Sequence, residues 1–186
     1  MSDGKELIIL AKKTIRSKLY NKELILKDSI KEKYSEELGV FVTLNKIVDE
    51  RKKLRGCIGF IEPIYPLWEG IVNAAFSAAF QDPRFKTLSK EEFKDVKVEI
   101  SVLTKPKLIK VNNPKEYPEE VIVGRDGLIV EKGEYKGLLL PQVATDYHWD
   151  SESFLGYTCE KAGLAFEAWK QKDVKVYSFQ VDILKE

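Results

Sequence analysis

Gly39-Val40-Phe41-Val42-Thr43-Leu44-Asn45-Lys46-Ile47-Val48, followed by Leu54-Arg55-Gly56-Cys57-Ile58-Gly59-Phe60-Ile61, decides how this chain folds. Both runs are rich in β-branched and aromatic residues, and only the charged segment Asp49-Glu50-Arg51-Lys52-Lys53 separates them. That pattern reads as an antiparallel hairpin with a solvated loop. Working outward, Leu7, Leu10, Ala11, Thr14, Ile15 and Leu19 form a helical stripe ahead of the hairpin, with lysines and an arginine on the other face. Behind it, Pro66 opens a largely apolar helix, PLWEGIVNAAFSAAF, and Asp82 before Pro83 marks its stop.

Ser89 with Glu92 three residues on predicts a capping box. Val96, Val98, Ile100 and Val102 alternate with polar residues, as in a strand with one buried face. Residues 105–120 carry three prolines and read as an irregular surface connection. After them come short strands, with Asp126-Gly127 as a hairpin signal, then a helical turn opened by Pro141. A helix capped by Asp150 or Ser151 ends at Gly163, and VKVYSFQVDIL reads as one closing strand. Helices alternate with hairpins rather than with single strands. The expected class is α+β, with antiparallel sheets and packed helices.

The chain has 186 residues, 44% hydrophobic and 33% charged, which is the composition of a globular protein with a substantial core. Thirty-one basic residues against 30 acidic ones leave a formal charge of +1. That balance disfavours general nucleic-acid binding, which usually shows a basic excess or a clustered basic face. The N-terminal run Leu7 to Leu10 is too short for a signal-peptide core, and no stretch is long enough to span a bilayer. The expected location is the cytoplasm. A Lys/Glu-rich composition with few Asn, Gln and Met fits a thermophile. One histidine and two distant cysteines supply no typical metal site, and no cofactor is assigned.

Strict alternation along Leu54–Ile61 would place Arg55, Cys57 and Gly59 on one face. Arg55 and Cys57 would then lie roughly 6–7 Å apart along the strand. A guanidinium there favours thiolate over thiol, and Gly59 would leave room beside the sulfur. The competing reading is a buried packing cysteine among strand glycines that mark close contact.

Leu54-Arg55-Gly56-Cys57-Ile58-Gly59 resembles the signature hexapeptide of the AMMECR domain family. Phe41-Val42-Thr43-Leu44, Ala78-Ala79, Asp82-Pro83-Arg84-Phe85 and Glu99-Ile100-Ser101-Val102-Leu103 also resemble family blocks. So do Gly124-Arg125-Asp126-Gly127, Leu139-Leu140-Pro141-Gln142-Val143-Ala144 and Thr158-Cys159-Glu160-Lys161-Ala162-Gly163-Leu164. The resemblance implies a single domain over residues 1–186, with a larger lobe formed by both termini and a smaller central lobe. It implies no particular reaction. Prokaryotic genes of this kind are often encoded with, or fused to, a Memo-like protein and a radical S-adenosylmethionine enzyme, which implies a functional link by association.

The candidate site therefore comprises Cys57 and Arg55 as reacting residues, with Gly56, Gly59, Asp82, Arg84 and Glu99 as binding residues. Asp82 and Arg84 also read as a structural ion pair closing the preceding helix. Cys159 falls on a core stripe with Phe154, Leu155, Thr158 and Ala162. His148, the lone histidine, is a conventional partner for a cysteine nucleophile or a surface residue ahead of a helix cap. Three functions stay open. The first is an enzyme or enzyme component acting on a small or modified substrate. The second is a non-catalytic binding or adaptor module for a small molecule, peptide or nucleotide. The third is an accessory factor of nucleic-acid or translation machinery. The expected partner is an unknown small molecule or protein.

Overall fold

The computed structural model describes residues 2–48 and 51–186. The chain divides into two compact units. One runs to Leu103 and takes back Asp182–Glu186; the other is Thr104–Val181. The larger unit holds both ends of the chain and the smaller is central, as the family resemblance implies.

In the first unit the elements are α1 (Ser2–Leu19), α2 (Asp28–Lys33), β1 (Gly39–Val48), β2 (Arg51–Phe60), α3 (Leu67–Phe80), α4 (Lys90–Phe93) and β3 (Val96–Leu103). The second unit adds β4 (Lys107–Leu108), α5 (Tyr117–Glu120), β5 (Gly127–Lys132), β6 (Tyr135–Leu139), α6 (Pro141–Asp146), α7 (Ser151–Lys161) and β7 (Lys175–Phe179). The last strand, β8 (Val181–Lys185), returns to the first sheet. Strand order is β2-β1-β3-β8 in the first sheet and β4-β7-β5-β6 in the second.

Alternation sorts the first sheet into two faces. Val40, Val42, Leu44, Val98 and Ile100 are at most 1% exposed; α3 packs on β1 and β2 with Ile71, Ala74, Ala75 and Ala78, and α1 packs on β3. The alanines let the helix lie close to the sheet. Burying each larger side chain contributes about 1.5–3 kcal/mol. Gly56 shows how tight the fit is: a Cβ there would strike the carbonyl oxygen of Ala78. Substitution of Gly56 would force α3 off the sheet. The predicted capping box is present. The Ser89 side chain accepts from Glu92 N, and the Glu92 side chain accepts from Ser89 N.

In the second unit Phe154, Leu155, Cys159, Val176 and Trp169 are at most 2% exposed and form a separate core. Asp150 caps α7 by accepting from Ser153 N, as expected.

Four sequence expectations need correction. Arg51–Lys53 belong to β2, so the hairpin break is shorter than expected, and Asp49 and Glu50 lie outside the described residues. Residues 105–120 are not wholly irregular, since β4 pairs with β7 and a short 3-10 turn leads into α5. Asp126-Gly127 does not form a hairpin. Asp126 turns inward and accepts from Ile122 N, and the hairpin is instead β5–β6. The apparent closing strand is two strands, β7 and β8, which join different sheets on either side of Gln180.

Candidate functional site

β2 is the edge strand of its sheet, and its register against β1 carries the decisive irregularity. Leu44 faces Gly56 while Asn45 faces Leu54, so Arg55 is an extra residue in a β-bulge. Gly56 lies beneath α3, and Arg55 turns toward the same side. Its Nε and NH2 donate to Glu92 Oε1 and Oε2 at 3.1 and 2.9 Å, and NH2 also donates to Lys86 O at 2.6 Å. Glu92 binds Lys46 as well, and Lys46 continues the Val40, Val42, Leu44 face of β1. The Arg55 side chain is 10% exposed, and its NH1 is buried without a hydrogen-bond partner among the described residues. Arg55 and Lys46 hold the Glu92 carboxyl down at about 2.

Cys57 lies on the opposite face. It pairs with Thr43 of β1, which in turn pairs with Glu99 of β3, so the three form one row across the sheet. The Thr43 hydroxyl and the Cys57 thiol are hydrogen-bonded, with Oγ1 and Sγ 3.1 Å apart. Thr43 is the one hydrogen-bond partner of Sγ among the described residues. Glu99 accepts from Lys52 Nζ at 3.3 Å, which brings an ammonium to the same face. The expected sharing of a face by Arg55 and Cys57 is therefore overturned by the bulge. Nor does Gly59 leave open space. It pairs with Phe41, whose ring would lie 2.6 Å from a Cβ at that position.

The cation beside Cys57 is Arg84. Both peptide groups of Cys57 point away from β1 toward the turn after α3. Cys57 N donates to Asp82 Oδ2 at 2.9 Å, and Arg84 NH2 donates to Cys57 O at 3.0 Å. Asp82 and Arg84 thus close the sheet edge where a further strand would otherwise pair. Asp82 also accepts from Arg84 Nε and NH2 at 2.9 and 2.8 Å. Its side chain is 1% exposed, whereas that of Arg84 is 54% exposed. The Arg84 hydrogen bonds outweigh burial and hold the Asp82 carboxyl far below the usual carboxylate range, with the Cys57 N–H assisting. The guanidinium is correspondingly raised, chiefly by Asp82, and charge on Cys57 adds in the same direction. Arg84 NH1 makes no hydrogen bond among the described residues.

Asp82 and Arg84 are thus both an ion pair and the frame of the Cys57 peptide. Thr43, Glu92 and Lys46 were missed as site residues. The alternation of β1 carried a signal for Thr43, and the capping box carried one for Glu92. Neither signal shows the long-range contact. His148 belongs to the second unit, where it is exposed with φ 55. Cys159 is fully buried, and desolvation pushes its thiol up to about 11. Among the described residues no group of three or more His, Cys, Asp or Glu is placed to hold a metal ion, and no helix is long and apolar enough to cross a membrane.

The AMMECR1 family model matches residues 8–184. A protein of Aquifex aeolicus is 48% identical over 99% of this chain and 93% of its own length. One from Methanocaldococcus jannaschii is 46% identical over 100% of this chain and 91% of its own. The crystal structure of an uncharacterised protein from Pyrococcus horikoshii superposes with a TM-score of 0.78 at 48% identity, covering 97% of this chain and 89% of that one.

Proposed function

The chain belongs to the AMMECR1 family, and on that premise we propose that the Cys57 face of its first sheet is a thiol-centred site for a small or modified substrate bearing an anionic group. Cys57 is the nucleophile or covalent carrier. Arg84 holds the anion through the guanidinium edge that Asp82 and the Cys57 carbonyl leave unused. Arg55 acts through the backbone of β2 and is a positioning residue. Glu99 and Lys52 border the same face.

One observation carries this reading. A half-buried thiol sits against a hydroxyl at 3.1 Å, while a half-exposed arginine is fixed to that cysteine's own carbonyl at 3.0 Å. A guanidinium so fixed is already oriented for a carboxylate or phosphate on the thiol's side of the strand edge. The family's association with Memo-like and radical S-adenosylmethionine proteins supports a substrate drawn from modification chemistry. Two free cysteines, neither in a disulfide, support a reducing cytoplasm.

A second reading is favoured by the partner of Sγ. Thr43 is not a base at neutral pH, and no carboxylate or imidazole hydrogen-bonds the sulfur among the described residues. The same face would then be a non-catalytic receptor for a small molecule, peptide or nucleotide.

Iodoacetamide alkylation followed by mass spectrometry across a pH series separates the readings, with Cys159 as internal control. A thiol-centred site requires Cys57 to label in the native protein, and to label more slowly in Arg84→Gln, while Cys159 waits for unfolding. Labelling of Cys57 only on unfolding would sink the catalytic reading and leave the Arg84 surface as a binding site.

A further inference from the structure

The balanced charge of the chain conceals a local excess. Lys13, Arg16 and Ser17 share one side of α1, Tyr20 follows just beyond its end, and Lys18 and Lys22 add two further cations. These four cations carry no carboxylate partner among the described residues, and the cationic Lys90 stands 5.0 Å from the Tyr20 ring centroid. Two hollows of about 450 and 370 Å³ open here, sharing Ser17, Lys22 and Leu24. Their acidic lining is Glu23 alone among the described residues. Cations in the last turn of a helix offset its dipole, and that accounts for Arg16 and Lys18. It does not account for Lys22 or Lys90, which lie outside the helix.

Asn73 adds a neutral donor to the larger hollow. It lies in the middle of α3, half-buried, and lines the larger hollow opposite Lys18 and Asn21. Its amide makes no hydrogen bond among the described residues. That amide is not buried, so it is open to a ligand seated in the hollow. Val72, Phe76 and Leu24 supply an apolar wall beside it. The hollow therefore offers charged donors, neutral donors and an apolar surface together, at a volume that suits a small ligand.

We propose that the groove between the end of α1 and α3 binds a small phosphorylated molecule. Lys18 and Lys22 hold the phosphate, Asn73 and Asn21 donate to its oxygens, and Val72 and Phe76 contact its apolar part. The site is separate from the Cys57 face and does not rest on the function proposed there.

Inorganic pyrophosphate is the probe, titrated into the whole chain at 0.15 M salt and followed by backbone amide NMR. Saturable shifts at Ser17, Asn21 and Asn73 are expected. Affinity should fall about tenfold or more in the exposed-residue variant Lys18→Gln/Lys22→Gln, since each charged hydrogen bond lost is worth at least about that much. Asn73→Ala should weaken binding as well, and Cys57→Ser should leave it unchanged. Absence of saturation, or equal affinity in the variants, overturns the proposal. It is equally overturned if the same amides respond to polyuridylate or to anionic lipid vesicles while pyrophosphate leaves them unmoved, because the surface then serves a macromolecule or a membrane.

Discussion

In each unit a buried aspartate holds a half-exposed arginine. The Asp82 and Arg84 side chains are 1% and 54% exposed, and those of Asp126 and Arg125 are 2% and 51% exposed. Both aspartates accept two guanidinium hydrogen bonds, and both also accept a backbone N–H. The difference is reach. Asp126 closes its own turn at Ile122, four residues away, whereas Asp82 takes the N–H of Cys57, 25 residues away. The first pair locks a loop; the second fixes the backbone of a candidate site. The backbone hydrogen bond is thus local in one unit and tertiary in the other, although Asp126 also meets the Gln180 side chain.

Asp82→Ala should produce the largest effect. It leaves the Cys57 N–H unpaired and Arg84 unmoored, at a cost of about 2–4 kcal/mol. Hydrogen exchange read by mass spectrometry should show the loss in β1–β3 peptides, together with altered Cys57 alkylation. Asp126→Ala should raise exchange around Ile122 without changing alkylation. If both variants alter alkylation equally, the contrast in reach is wrong.

Acid sharpens the comparison next. Asp82, Glu92 and Asp126 all have folded pKa values below their unfolded ones. For Asp126 burial pushes upward, but the Arg125 and Ile122 hydrogen bonds prevail. The stability from such groups is fully present above the unfolded carboxylate range and disappears as pH falls through the folded values. For Glu92 the window runs from its ordinary value of 4.5 down to about 2. With its side chain 31% exposed, screening reduces its contribution to about 1–2 kcal/mol. An exchange series from pH 5 to pH 2 should weaken β2 and α4 progressively. Constant protection there would remove the ion-pair account.

Arg84→Gln and Arg125→Gln should differ more in reactivity than in stability. The first should slow Cys57 alkylation severalfold by removing the neighbouring cation, and the second should leave it unchanged. Cys57→Ser should have the smallest effect, within about 0.5 kcal/mol in urea denaturation, because the position is half-buried and already beside a hydroxyl. A loss comparable to that of Asp82→Ala would make Cys57 a packing residue.

Local pattern was enough for much of the fold. The Leu7–Leu19 stripe, the β1–β2 hairpin, the Ser89–Glu92 capping box and the alternation of β3 all appear where periodicity places them. These features depend on neighbours within a few residues. The bulge at Arg55 does not. It is set by the close approach of Gly56 to Ala78 and by Glu92, 37 residues away. The division of β7 from β8 was hidden for a similar reason, since apolar alternation runs through Gln180 without a Gly or Pro. Of the candidate site, Cys57, Asp82 and Arg84 were legible as residues. Thr43 as a sulfur partner and Arg84 rather than Arg55 as the cation needed register and turn geometry.

The bulge can also be described as a frameshift in side-chain parity. Counting back from Cys57 by twos would put Lys53 on the thiol's face; the extra residue changes the count and delivers Lys52 instead, beside Glu99. The hexapeptide therefore does not carry its own geometry. Transplanted onto an unbulged hairpin, Leu54-Arg55-Gly56-Cys57-Ile58-Gly59 would present arginine and cysteine together. In this chain the same letters are kept apart by one residue of slippage, and Asp82 and Arg84 must arrive from elsewhere to complete the phrase.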